Sequence, residues 1–107
     1  MNDMTQAKYK KRAKIFKAMA HPSRLLIIDE LSISGERCVC ELTDMVRTDT
    51  STVSCDLAQL RDAGLVIDER RGSMVYYRLG VSCILDFFEC VEAAMISKTE
   101  CKPRLLN

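Results

Sequence analysis

The sequence predicts a mainly α-helical domain that carries one small β-hairpin. Three observations predict it. Apolar residues recur at helical spacing through successive blocks from Tyr9 to Leu60. The period then falls to two on either side of the charged turn "ERRGSM". A last block, from about Ser82 to Ser97, is apolar along two helical stripes. With 107 residues the chain has room for one domain, and an apolar share of 48% supports a packed core. That domain is expected over residues 1–97, with "KTECKPRLLN" at its end (98–107 a tail) reading as poorly ordered.

Tyr9, Ala13, Phe16 and Ala20 make an amphipathic first helix, with lysines between them. "AHPSR" interrupts it. Pro22 suits the first turn of a second helix, with His21 before it as a cap. "SRLLIIDEL" is apolar on several sides and reads as buried. "SISGE" is a turn around Gly35. A short third helix follows, with Val39, Leu42 and Val46 facing inward. "RTD" is a tight connection, and Asp49 is a suitable N-cap for a fourth helix, "TSTVSCDLAQLRDAG". Val53, Leu57 and Leu60 mark its buried face, and Gly64 stops it. Leu65 and Ile67, then Val75, Tyr77 and Leu79, mark the inward side of the two hairpin strands, joined through Gly72. In the last helix, Ile84, Phe88, Val91 and Met95 form one stripe. Cys83, Phe87, Cys90 and Ala94 form the other, and so broad an apolar surface is expected to pack against a second copy.

Charge and cysteine usage narrow the function. The net charge of +1 does not itself mark a nucleic-acid binder. Between Lys8 and Arg24, however, stand seven Lys or Arg and no acid, a block that serves equally as a solvated face or a phosphate contact. No apolar run approaches the roughly 18 residues of a membrane span, and no secretory signal is visible, so a cytoplasmic protein with no membrane partner is expected. Six cysteines in such a chain favour thiolate chemistry or metal binding over a disulfide framework. A lone His21 argues against a His-rich zinc site. The chain offers no acid–base pair, no nucleophile with its base and no phosphate loop, so an enzyme is not expected.

Helix, helix, short helix, tight turn, helix, hairpin is the order of a winged helix-turn-helix. The fourth helix would be the recognition helix. Its outer face carries Ser51, Thr52, Cys55 and Gln59, with Ser54 alongside, and small hydroxyl and amide groups suit phosphates and base edges. Arg70 and Arg71 on the wing suit backbone phosphates.

"AMAHPSRLLIIDEL", "GERCVCELTDMV", "TSTVSCDLAQLRDAGLV" and "RRGSMVYYRL" together resemble the ArsR group (ArsR/SmtB) of metal- and metalloid-responsive repressors. The likeness covers roughly Ala7 to Leu79. It implies a winged helix-turn-helix homodimer, joined through its terminal helices, that represses an operon by binding double-stranded operator DNA until an inducer ion releases it. "CVC" resembles the arsenite and antimonite branch, which places the inducer, As(III) or Sb(III), on Cys38 and Cys40. Trivalent arsenic and antimony are soft and select thiolates. A helix N-terminus and the neighbouring Arg37 favour the thiolate form, with Glu36 and Glu41 opposing.

Helical residues turn by about 100° each, so Cys38 and Cys40 would point to opposite sides of a regular helix. Either the first turn of the third helix is already non-helical, or the ion unwinds it; at least partial unwinding is expected, and this would misplace the recognition helix. Two departures from the family pattern stand out. Thr43 occupies the place of a frequent further cysteine, which leaves Cys101 as first candidate for the third ligand, with solvent or a small thiol as substitutes. "SCDL" stands where the family commonly has Ser-Arg-His-Leu, and Asp56 beside phosphates would cost DNA affinity unless a neighbouring Arg or a cytosine amine engages it. Alternatives follow: a sensor of another soft ion (cadmium or lead) or of thiol oxidation, or a winged-helix protein that binds a partner or sequesters metalloid without reading DNA.

Overall fold

The computed structural model describes residues 2–97. Five helices and a three-stranded antiparallel sheet follow one another as α1 (Asp3–Met19), α2 (Pro22–Ser34), β1 (Arg37–Cys38), α3 (Val39–Val46), α4 (Thr50–Asp62), β2 (Val66–Arg71), β3 (Met74–Leu79) and α5 (Ile84–Ser97). The winged helix-turn-helix is present, with one element the sequence did not announce. β1 adds a third strand beside the hairpin, giving the order β1-β3-β2 and pairing Arg37 with Tyr77 and Cys38 with Tyr76.

The core forms where the apolar faces of α2, α3, α4 and the sheet converge. Ile27, Ile28, Leu31, Leu42, Val53, Leu57, Leu60, Leu65, Val66 and Tyr77 are buried there, joined by Ala18 and Met19 from the end of α1. Each large aliphatic side chain so buried stabilises the fold by about 1.5–3 kcal/mol in transfer terms. α4 is fixed at both ends by local chemistry. At its start, Asp49 Oδ1 accepts the Thr52 N–H at 2.7 Å. At its end, the Gly64 N–H bonds Arg61 O and the Leu65 N–H bonds Leu60 O, both at 2.9 Å. That pair is a Schellman motif, and it needs the left-handed φ of 81° that Gly64 supplies.

Several expectations change. His21 occupies the N-cap of α2 but makes no side-chain capping bond. In β2 the buried residue is Val66, while Ile67 is 42% exposed. Leu65 belongs to the helix stop, so the two-residue period starts one position later than the "LVI" run suggested. Gly72, with φ of 63°, opens the Gly72–Ser73 turn between the last paired residues, Arg71 and Met74.

The apolar stripe of α1 is not core: Tyr9 and Phe16 are exposed. α5 buries no residue fully; Ile84, Leu85 and Phe88 pack partly on the core, while Phe87, Val91, Met95 and Ile96 stay uncovered. The Phe16 and Phe87 rings meet at 6.1 Å, joining the two uncovered stripes into one surface. No described helix is long and apolar enough to cross a membrane.

Candidate nucleic-acid interface and cysteine pair

The helix-turn-helix unit is α3, a tight turn and α4. The turn is closed by Arg47, whose φ of 58° is left-handed and whose N–H reaches Thr43 O at 3.0 Å. With Val53, Leu57 and Leu60 locked in the core, the opposite face of α4 points outward. Ser51, Thr52, Ser54, Cys55 and Gln59 are all exposed on it. This is the face the sequence assigned to DNA.

Asp56 is the exception to the acidic reading of that helix. It does not stand among the outward groups; its side chain is only 9% exposed. Its Oδ1 accepts from Arg24 Nε at 2.9 Å and its Oδ2 accepts from Ser23 Oγ at 2.8 Å. Arg24 Nη1 in turn donates to Ala18 O at 3.1 Å. One carboxylate thereby ties the recognition helix to the start of α2 and, through Arg24, to the end of α1. It also places a negative charge at an α2 N-terminus that lacks a side-chain cap. The helical spacing of Asp56 with Val53, Leu57 and Leu60 puts it on the inward face of α4, a signal that its charge outweighs in the sequence reading.

The wing separates Arg70 from Arg71. Adjacent strand residues point to opposite faces. Arg70 shares a face with Asp68, which accepts from Arg61 at the end of α4 at 3.3 Å. Arg70 is exposed and has no ion-pair partner among the described residues. Arg71 lies on the other face and is engaged. It grips Glu36 at 2.7 and 2.9 Å, bonds Glu69 at 2.8 Å and lies 4.7 Å over the Tyr76 ring. These bonds hold the Glu36 carboxyl below its ordinary range and push the Arg71 guanidinium up.

The Cys-Val-Cys segment straddles a junction. Cys38 is the last residue of β1, extended at φ −87° and ψ 167°, and it caps α3; Cys40 lies inside the first turn. So the first turn of α3 does not contain both thiols. Cys38 is buried and Cys40 is exposed. Glu41 reaches back to the Cys38 N–H at 3.2 Å, and its carboxyl is held low by the Cys38 side chain, that N–H and Arg37. Arg37 does not serve the thiols directly: its guanidinium bonds Glu41 at 2.6 Å and Glu30 at 3.2 Å. The Thr43 hydroxyl is occupied by Val39 O at 2.7 Å. Cys55 on α4 and Cys83 in the turn before α5 are free, exposed cysteines. Cys101 lies outside the described residues. Among the described residues no group of three potential ligands is already assembled around an ion-sized site.

Comparison with known proteins supplies the family. Residues 21–68 match the model of the bacterial regulatory proteins of the arsR family. The chain belongs to the ArsR family. The matched region runs from His21 through α2 into β2 and contains the Cys38–Cys40 pair and α4. An arsenic resistance transcriptional regulator of Pseudomonas putida is 43% identical over 65 residues, which are 61% of this chain and 51% of the relative. A cadmium resistance regulatory protein homologue of Staphylococcus aureus is 37% identical over 63% of this chain and 55% of its own length. The chain thus spans about half the length of these curated relatives. Over nearly the whole chain the fold matches a homodimeric winged helix-turn-helix DNA-binding domain from Mycobacterium bovis, described as a possible ArsR-family regulator. The TM-score is 0.81 at 25% identity, covering 96% of this chain and 97% of that one.

Proposed function

We propose that this ArsR-family chain is a metalloid-responsive transcriptional repressor. It binds operator DNA as a homodimer and lets go when As(III) or Sb(III) is taken up by Cys38 and Cys40. The observation that carries the reading is the placement of the two thiols: one buried at the end of β1, the other exposed in the first turn of α3. Because Cys38 is buried and Cys40 exposed, we take an ion that holds both sulfurs to draw Cys38 outward or to open that turn. Either movement disturbs the helix that supports α4. The ion's preference for the rearranged shape is then the coupling free energy that weakens DNA binding. Its third ligand is an external thiol or solvent; Cys101, the candidate from the sequence, lies outside the described residues.

The burial of Asp56 supports DNA reading, because it removes a carboxylate from the outward face of α4. The uncovered apolar surface of α1 and α5 supports a dimer, as does the homodimeric assembly of the Mycobacterium bovis domain. The resemblance to a cadmium resistance regulator favours one second reading, in which the same thiolates take a different soft ion.

Fluorescence anisotropy on a labelled duplex from the protein's own promoter tests both. Arsenite, antimonite and cadmium are titrated against the wild type and a Cys38→Ser, Cys40→Ser variant. Release of the wild type by arsenite with none from the variant is expected. Release of the variant would sink the thiolate mechanism, and release by cadmium alone would move the assignment to the other ion. Failure of the wild type to bind the duplex at low salt would sink repression itself.

A further inference from the structure

Glu36 immediately precedes β1, and β1 is only Arg37–Cys38. No other element stands between Glu36 and the buried thiol. Across 35 residues of sequence, Glu36 receives both terminal nitrogens of Arg71 at 2.7 and 2.9 Å. Two parallel charge-assisted bonds fix orientation as well as distance. Arg71 is the last residue of β2 before the wing turn, and its guanidinium lies on Tyr76. Tyr76 is the residue that β3 pairs with Cys38. The strand ladder and the carboxylate grip therefore join the same two pieces of chain, the entry to the thiolate pair and the outer half of the wing.

We propose that Glu36 is a positioning residue: through Arg71 it straps the wing to the segment entering the Cys38–Cys40 pair, so that a ligand drawing Cys38 outward slackens the wing. The proposal rests on the sensing reading above and adds to it a second route, beside the distortion of α3, from the thiolates to the DNA-contacting elements. Glu69 provides the contrast. It bonds the same guanidinium at 2.8 Å, but from within the hairpin, and cannot carry movement from Cys38. Because a two-residue strand offers a short ladder, the grip of Glu36 is a sizeable share of what holds β1 to the wing.

The test uses the full chain and the labelled promoter duplex, with wild type, Glu36→Gln and Glu69→Gln each titrated with and without arsenite. Arsenite uptake is followed separately by the ultraviolet absorbance of the arsenic–thiolate bond. Glu36→Gln should take up arsenite with wild-type stoichiometry. It should bind the duplex roughly two- to fivefold more weakly without arsenite, the range for an exposed ion pair, and lose correspondingly less when arsenite is added. Glu69→Gln should keep the wild-type ratio of affinities with and without arsenite. A Glu36→Gln variant with the wild-type ratio would reduce the grip to a local ion pair and overturn the proposal. Equal loss of coupling in both variants would also overturn it, since the cause would then be hairpin charge. A wild type that binds the duplex but ignores arsenite, antimonite and cadmium defeats the sensing reading and the strap with it, and does so before any substitution is compared.

Discussion

Replacing Asp56 by Asn should destabilise this protein far more than any substitution on the outer face of α4. The Arg24–Asp56 pair is 2.9 Å apart, with side chains 13% and 9% exposed. Two unit charges about 4 Å apart at an effective dielectric of about 20 attract by about 4 kcal/mol. Asn keeps the shape and one acceptor, and Arg24 keeps its bond to Ala18 O. Part of the loss is thus recovered, and about 2–3 kcal/mol remains, below the 3–5 typical of breaking a fully buried pair. For a domain whose whole stability is of order 5–15 kcal/mol, that is a large fraction. Urea unfolding followed by helical circular dichroism, at one fixed protein concentration because association contributes, should show the midpoint falling by about 1–2 M. Arg24→Met should cost a similar amount, and the double variant little more than either single one, a coupling of about 2 kcal/mol. Additivity of the two single effects to within about 0.5 kcal/mol would refute the argument, because it would mean that the charges do not sense each other.

Two further outcomes follow from the interface. Arg70→Gln should lower the slope of log affinity for promoter DNA against log salt by roughly 0.9, the signature of one lost phosphate contact, whereas Arg71→Gln should leave the slope unchanged because two carboxylates already neutralise that guanidinium; equal slopes for the two variants would contradict the division of the wing into two faces. Asp49→Ala should lower the urea midpoint at neutral pH. The Asp49 carboxyl is held below its ordinary 3.8 by the Thr52 N–H, so its folded-state pKa is depressed. Its contribution is complete above the unfolded value and disappears as pH falls through the depressed one, so the midpoints of variant and wild type should converge once the pH is well below the ordinary 3.8; a gap that persists there would assign the effect to something other than the ionised cap.

How far the sequence discloses such a molecule depends on the range of the interactions that matter. Val53, Leu57 and Leu60, the Asp49 cap and the Gly64 stop are set by contacts within one or two helical turns, and periodicity and capping chemistry reveal them. The exposure of Ile67 is not legible, because "LVI" offers adjacent apolar residues and only the helix stop at Leu65 decides where the two-residue period begins. Helical spacing places Asp56 on the inward face of α4, but a carboxylate is expected there only when its partners are known, and Ser23 and Arg24 are more than 30 residues away. The bond of Arg71 to Glu36 is equally hidden from the sequence, because Glu36 comes to it only when β1 joins the sheet. The thiolate pair shows the same limit. Spacing alone indicates that two cysteines one residue apart cannot share an ion in a regular helix. It does not indicate that Cys38 already lies in a strand, buried and paired with Tyr76. In the proposed sensing reaction, an ion on Cys38 would therefore act on the edge of a sheet as well as on a helix start. Displacing Cys38 would strain α4 through α3 and the hairpin through β3, so that one small ligand would work on both elements at once.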